Sequence, residues 1–273
     1  MNLSQARVAI LGTGNMGEAI LAGALRAGVA PDQLICSTLD ESRLEFLRST
    51  YGVQVTGDSA DAASKADIVV AAVKPQDMDA LLGAVAGSLK PGAIVVSVAV
   101  GLDLAWLAAR LPAGTPIVRI MPNTPAAVGA GVSVMSCGAQ VTLDDAGLVR
   151  AIFEGAGDVV DIPEKLQAAA GAVSGSGPAY VFAMIDALAE AAVKQGIPRN
   201  LAVRLAVGTV GGSARLLAET GEHPALARER VSSPGGTTIA GLHALDAAGV
   251  RAAYVAAVEA AVARTHELAA QLG

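Results

Sequence analysis

Gly12, Gly14 and Gly17 stand at G-x-G-x-x-G spacing, directly after the apolar run 7–11 and before a helix-compatible stretch, 18–27. The first glycine permits a tight turn, the second lets an anionic group approach the backbone, and the third lets the helix pack closely on the strand. The start of that helix presents amide N–H groups and a positive dipole end, which suits phosphate. Opening the chain as strand, glycine turn and helix, the pattern predicts a dinucleotide site; the plain alternative is a tight turn. About 20 residues further on, a carboxylate would normally grip a ribose 2′-hydroxyl. Here the sequence is Cys36-Ser37-Thr38, with Asp40 arriving late and Arg43 beyond it. Two hydroxyls and a guanidinium suit a 2′-phosphate, so NADPH is the expected cofactor and NADH the weaker second choice.

A second cluster is Val231-Ser232-Ser233-Pro234-Gly235-Gly236-Thr237-Thr238-Ile239. Hydroxyls, a rigid proline and two glycines ahead of a helix can turn several donors toward one small anion. The same residues also make an ordinary helix cap. A Gly/Ser loop at 174–177 leads into Pro178, well suited to the first position of a helix. Polar or glycine-containing strand ends recur at Ala72-Val73-Lys74-Pro75, Ala99-Val100-Gly101 and Met121-Pro122-Asn123-Thr124-Pro125.

These residues need a scaffold, and the first 160 residues supply the pattern of one. Short β-branched runs at 7–11, 33–37, 53–56, 67–73, 94–98, 117–121, 132–135 and 159–161 alternate with helical spacing, which predicts a mostly parallel sheet of α/β class. After Pro163 the β-branched runs fade. Helices are expected at 164–173, 178–195, 199–219, 224–231, 237–248 and 250–272, ended by Gly196, Gly221 and Gly249. Residues 1–163 therefore read as a dinucleotide-binding domain and 164–273 as an all-helical one. Residues 202–214 carry one charge in 13, so more than one helix face needs cover. A helical unit this small cannot bury that many faces alone, which predicts a homodimer.

Composition removes several classes. The chain of 273 residues has 19 Lys+Arg against 25 Asp+Glu and a net charge of −6, so nothing draws it to nucleic acid. Apolar residues make up 53 %, but the uncharged stretches 120–143 and 166–185 are interrupted by proline and glycine, so neither is expected to span a membrane as one helix. No leader pattern opens the sequence, and a cytoplasmic enzyme is expected. Cys36 and Cys137 read as buried reduced thiols, and His223, His243 and His266 lack metal-ligand spacing.

Five strings, GTGNMG at 12–17, AVKPQ at 72–76, MPNTPA at 121–126, SGSGPAY at 174–180 and SPGGTTI at 233–239, resemble pyrroline-5-carboxylate reductase over essentially the whole chain. The resemblance implies an N-terminal Rossmann domain, a C-terminal helical dimerisation domain and often a pentamer of dimers. It implies NADPH-dependent reduction of the cyclic imine 1-pyrroline-5-carboxylate to L-proline. It places the substrate carboxylate on Ser233, Gly236 and Thr237, the ring nitrogen at Thr238, and Glu164 near substrate. It places cofactor contacts on Leu11, Gly12, Thr13, Gly14, Asn15, Met16, Ser37, Ser59, Ala72, Val73, Lys74, Pro75, Ala99, Val100 and Gly101. Ser59, Arg230 and Gly208-Thr209 depart from the family's usual residues, and the carboxylate loop is intact. Two other readings differ in one feature each. β-Hydroxyacid dehydrogenases carry a catalytic lysine where Val181 stands, and a cofactor-binding scaffold without chemistry would not need an intact carboxylate loop.

Overall fold

The computed structural model describes residues 2–272. The chain divides into two compact units, one made of residues 1–176 and 261–273, the other of residues 177–260. The first contains eight strands: β1 (Val8–Leu11), β2 (Leu34–Ser37), β3 (Gln54–Thr56), β4 (Ile68–Ala71), β5 (Ile94–Ser97), β6 (Ile117–Met121), β7 (Gly131–Cys137) and β8 (Gly157–Asp161). Their order in one sheet is β3-β2-β1-β4-β5-β6-β7-β8. Every pair is parallel except β6 with β7.

The core strands are short continuous apolar runs because both faces are covered. In β1, Val8 and Ile10 join one core with Phe153, while Ala9 and Leu11 join the other with Leu82 and Leu107. The first layer includes α1 (Asn15–Arg26), α2 (Glu41–Tyr51) and α6 (Leu143–Glu154); the second includes α3 (Ser59–Lys65), α4 (Met78–Val85) and α5 (Leu104–Ala108). The register sets Leu11 beside both Ser37 and Ala71, and Ala71 beside Ser97. Four carboxyl ends are thereby brought into line at the strand-order reversal between β1 and β4, where open α/β sheets bind ligands.

Further on come α7 (Gln167–Ser174), α8 (Gly177–Lys194), α9 (Arg199–Thr220), α10 (Pro224–Arg230), α11 (Thr237–Ala247) and α12 (Val250–Leu272). The expected division after residue 163 differs from the observed compact units, because α7 belongs with the sheet. Gln167 bonds to β7, and Gly171 lies so close to Met121 that a Cβ there would be 2.1 Å from its Cε.

The unit of residues 177–260 has a small interior of its own, built on Ala189, Ala202 and Ala206 with Ile185, Ala192 and Ile197 against them. Larger apolar side chains face out: Phe182 is 60 % exposed and Leu205 57 %. Residues 164–194 and 199–220 are long and apolar enough to cross a membrane by length and composition. The first of these stretches is broken at Gly175-Ser176, as the sequence suggested, whereas α9 is one unbroken helix. Cys36 is buried, and burial pushes its thiol up to about 12. Cys137, expected to be buried, is exposed, since β7 continues beyond its last pairing with β8 at Met135–Asp161.

Candidate active site

Gly12 ends β1 at φ +85°, and a Cβ there would lie 2.4 Å from Val73 Cγ1 and 2.9 Å from Val73 N. No side chain larger than hydrogen fits between the first and fourth strands. Ser37 O, at the end of β2, accepts from Gly12 N at 2.8 Å and Thr13 N at 3.1 Å. The Thr13 hydroxyl is shared between Ile10 O at 3.1 Å and Ser37 O at 3.2 Å, and Thr13 O accepts from Arg43 Nε at 3.0 Å. Thr13 is fully buried with its polar groups engaged inside the protein, so it braces the turn. Leu11 is likewise buried as the floor, while Gly14 and Asn15 are exposed and Met16 is half-buried. Gly14 caps α1 without a side-chain hydrogen bond, and nothing lies within 4 Å of where its Cβ would be. The first-turn amides of α1 consequently face open space, as phosphate binding requires.

At the end of β2, Ser37 Oγ stands 2.8 Å from Ser59 Oγ on the first residue of α3. Ser37 is 1 % exposed and Ser59 half-buried. Asp40, the late carboxylate, turns back into its own helix and accepts from Ser42 Oγ at 2.7 Å and Arg43 N at 3.2 Å. These bonds, led by the Ser42 hydroxyl, hold its carboxyl below the usual range. Arg43, read from the sequence as a phosphate partner, is committed within the protein. Its guanidinium pairs with Glu18, bonds to Thr13 O and lies 5.0 Å from the centre of the Phe46 ring. Glu18 also accepts from Tyr51 Oη at 2.6 Å; that bond, ahead of Arg43, lowers its carboxyl below the ordinary value. Arg43 therefore ties α2 to the glycine turn.

The remaining expected cofactor segments follow the neighbouring strands. Ala72 N bonds to Leu11 O at 2.8 Å, Val73 walls Gly12, Pro75 begins a short 3₁₀ turn and Lys74 is exposed. Beyond β5, Ala99 is buried, Val100 is exposed and Gly101 turns the chain at φ +82°.

Below these loops is a cavity of about 230 Å³, whose wall includes Met16, Val100, Arg119, Met121, Asn123 and Gln167. Asn123 braces its rim: Nδ2 donates to Ser174 O at 2.9 Å and Oδ1 accepts from Val132 N at 2.9 Å. Arg119 is 8 % exposed, and its Nη1 donates to Glu164 Oε1 at 3.2 Å. The same carboxylate oxygen accepts from Leu104 N at 2.6 Å, so Glu164 links β6 to the start of α5. Gln167 is 1 % exposed; its Nε2 donates to Ser136 Oγ at 3.0 Å and Val134 O at 3.1 Å, while Oε1 has no partner. An unsatisfied buried acceptor costs about 1–3 kcal/mol. Sequence reasoning missed both Arg119 and Gln167. Arg119 had left a signal as the lone charge in the run IVRIM, whereas Gln167 had none in an alanine stretch.

In the other unit, Gly235 at φ +68° and Gly236 shape the turn before α11. Gly236 N bonds to Ser233 O at 3.0 Å, and no side chain caps α11. Ser232 Oγ is committed to Arg228 O at 2.7 Å. Ser233, Thr237 and Thr238 are exposed beside the helix start, a donor set suited to a small carboxylate. Arg230 pairs with Glu222.

The glycine turn, the open Gly14 face and the Ser37–Ser59 pair fit a phosphorylated dinucleotide. Residues 7–101 match the family model described as NADP oxidoreductase coenzyme F420-dependent, and residues 164–268 match pyrroline-5-carboxylate reductase dimerisation. The helical part is thus a dimerisation domain, which accounts for the apolar side chains exposed on α8 and α9. The chain is 43 % identical over 266 residues to pyrroline-5-carboxylate reductase of Synechocystis, covering 96 % of this chain and 98 % of that protein. A pyrroline-5-carboxylate reductase structure from Coxiella burnetii superposes with a TM-score of 0.92 at 34 % identity, covering 96 % of this chain and 98 % of that one. A Plasmodium falciparum pyrroline carboxylate reductase with NADP bound gives 0.87 at 28 % identity, covering 97 % and 99 %. From its glycine turn to its helical domain, this chain belongs to the pyrroline-5-carboxylate reductase family.

Proposed function

We propose a division of labour among this chain's residues for the family's reaction, reduction of 1-pyrroline-5-carboxylate to L-proline in the last step of proline biosynthesis. The observation that carries it is the start of α11, with no side-chain cap and with Ser233, Thr237 and Thr238 exposed beside it. Ser233 and the amides of Gly236 and Thr237 hold the substrate carboxylate. Thr238 donates its hydroxyl to the ring nitrogen and orients the imine. That hydroxyl is too weak an acid to ionise near neutrality, so water delivers the nitrogen's proton. Bound NADPH supplies the hydride. Rate enhancement comes from holding the imine carbon against the donor and from the fixed carboxylate.

On the cofactor side, Gly12, Gly14, Asn15 and Met16 receive the pyrophosphate end. Ala72, Val73, Lys74 and Pro75 flank it, and Ala99, Val100 and Gly101 lie toward the nicotinamide. Ser37 and Ser59 bind the 2′-phosphate, which favours NADPH over NADH; with Asp40 turned into α2, no carboxylate opposes it. Leu11 and Thr13 act from beneath as buried supports. Glu164 contributes near substrate by holding Arg119. The working assembly is a homodimer through the helical domain, built up as a pentamer of dimers in the cytoplasm.

The deciding measurement is loss of reduced-nicotinamide absorbance with pyrroline-5-carboxylate, with NADPH and NADH in parallel and the imine omitted as control. Imine-dependent oxidation, faster with NADPH, is expected. Tight NADPH binding without turnover would leave only a binding module.

A further inference from the structure

The cavity beneath the glycine turn carries two unlike polar groups on one wall. Arg119 offers only donors, and Gln167 offers an acceptor. The Gln167 amide cannot reverse its roles, because Nε2 already serves Val134 O and Ser136 Oγ; an oxygen placed there would face a carbonyl. Oε1 is therefore held as an acceptor, 1 % exposed and without a donor in the protein. A donor and an acceptor side by side match a primary carboxamide, whose oxygen accepts and whose nitrogen donates. A carboxylate would satisfy Arg119 but set oxygen against oxygen at Gln167. Met16 and Val100 share the wall. They lie on the β5 side of the strand-order reversal, away from Ser37 and Ser59, and so toward the reactive end of a bound dinucleotide.

We infer that Gln167 Oε1 accepts a hydrogen bond from the carboxamide NH₂ of the nicotinamide, fixing the rotation of the ring that presents its hydride-bearing face. Gln167 is thereby a positioning residue, and the inference rests on the cofactor reading given above. Calorimetric titration of the full-length protein separates the two. The probes are NADP⁺, its thionicotinamide analogue, which keeps the NH₂, its acetylpyridine analogue, which replaces NH₂ with methyl, and 2′,5′-ADP, which lacks the ring. NADP⁺ and the thionicotinamide form are expected to bind alike, and the acetylpyridine form about tenfold more weakly. In Gln167→Met that gap closes, while 2′,5′-ADP binds as before. An equal affinity of the unmodified protein for NADP⁺ and the acetylpyridine form overturns the inference, whether or not the variant folds. So does a gap that persists in a Gln167→Met protein still binding 2′,5′-ADP. Failure of the unmodified protein to bind 2′,5′-ADP at all removes the cofactor reading itself.

Discussion

Ser37 and Ser59 face each other across the ends of β2 and α3 with their hydroxyl oxygens 2.8 Å apart. Each can turn its proton toward an added anion without breaking a backbone bond. Replacing Ser59 with Ala removes one donor and should weaken NADPH binding about tenfold while sparing NADH, since a hydrogen bond to a charged group contributes about 1.5–3 kcal/mol. Ser37→Asp should invert the preference, because a carboxylate there repels a 2′-phosphate and accepts from a 2′-hydroxyl. The ratio of kcat/KM for the two cofactors checks both; an unchanged ratio would remove the pair from cofactor choice.

Thr238 and Ser233 should separate kinetically. Thr238→Ala loses a bond that strengthens as the ring nitrogen reacts, so kcat should fall roughly 10²-fold with NADPH affinity unchanged. Ser233→Ala should act mainly on KM for the imine, through its carboxylate. Steady-state kinetics with direct NADPH titration distinguishes the two.

The Tyr51–Glu18–Arg43 group predicts a pH dependence on two sides. Glu18 is held below its ordinary 4.5, chiefly by the Tyr51 hydroxyl, so its contribution to stability is full above that value and is lost as pH falls through the lowered one. Tyr51 is pushed from 10.0 to about 12, first by burial and then by Glu18; its contribution is full below 10.0 and is lost as pH rises toward about 12. Tyr51→Phe should flatten the alkaline arm of a Tm-against-pH curve and shrink the acid arm. Unaltered arms would show that the group does not couple the glycine turn to α2.

Gly12→Ala meets two penalties, a positive φ and a Cβ 2.9 Å from the backbone nitrogen of Val73. A displaced backbone costs more than a displaced side chain, so the loss should exceed the roughly 1–2 kcal/mol of the left-handed conformation alone. Denaturant unfolding should register that loss together with abolished NADPH binding. A stable variant with normal affinity would contradict the close approach of β1 and β4.

Much of this was legible in the residues themselves. All eight strands fall within the expected runs, because parallel strands buried on both faces must be continuous apolar segments. The antiparallel turn of β7 against β6 was not anticipated, although the short link between Met121 and Gly131 leaves no room for a crossover helix. Arg43 was misread because spacing places a guanidinium near the ribose end but cannot reveal that Glu18 and Thr13 O already hold it. Gln167 was invisible for a related reason: its neighbours Val134 and Ser136 are more than 30 positions away in the chain, and only the fold brings them together.

The alanine-lined interior of residues 177–260 links folding to dilution. With Phe182 and Leu205 more than half exposed, much of the apolar surface that would drive folding of this segment becomes dry only when another chain arrives. Mass action then enters the unfolding equilibrium, so the melting temperature should climb as protein concentration is raised. A cell making little of this enzyme would hold a larger share of it unfolded than one making much.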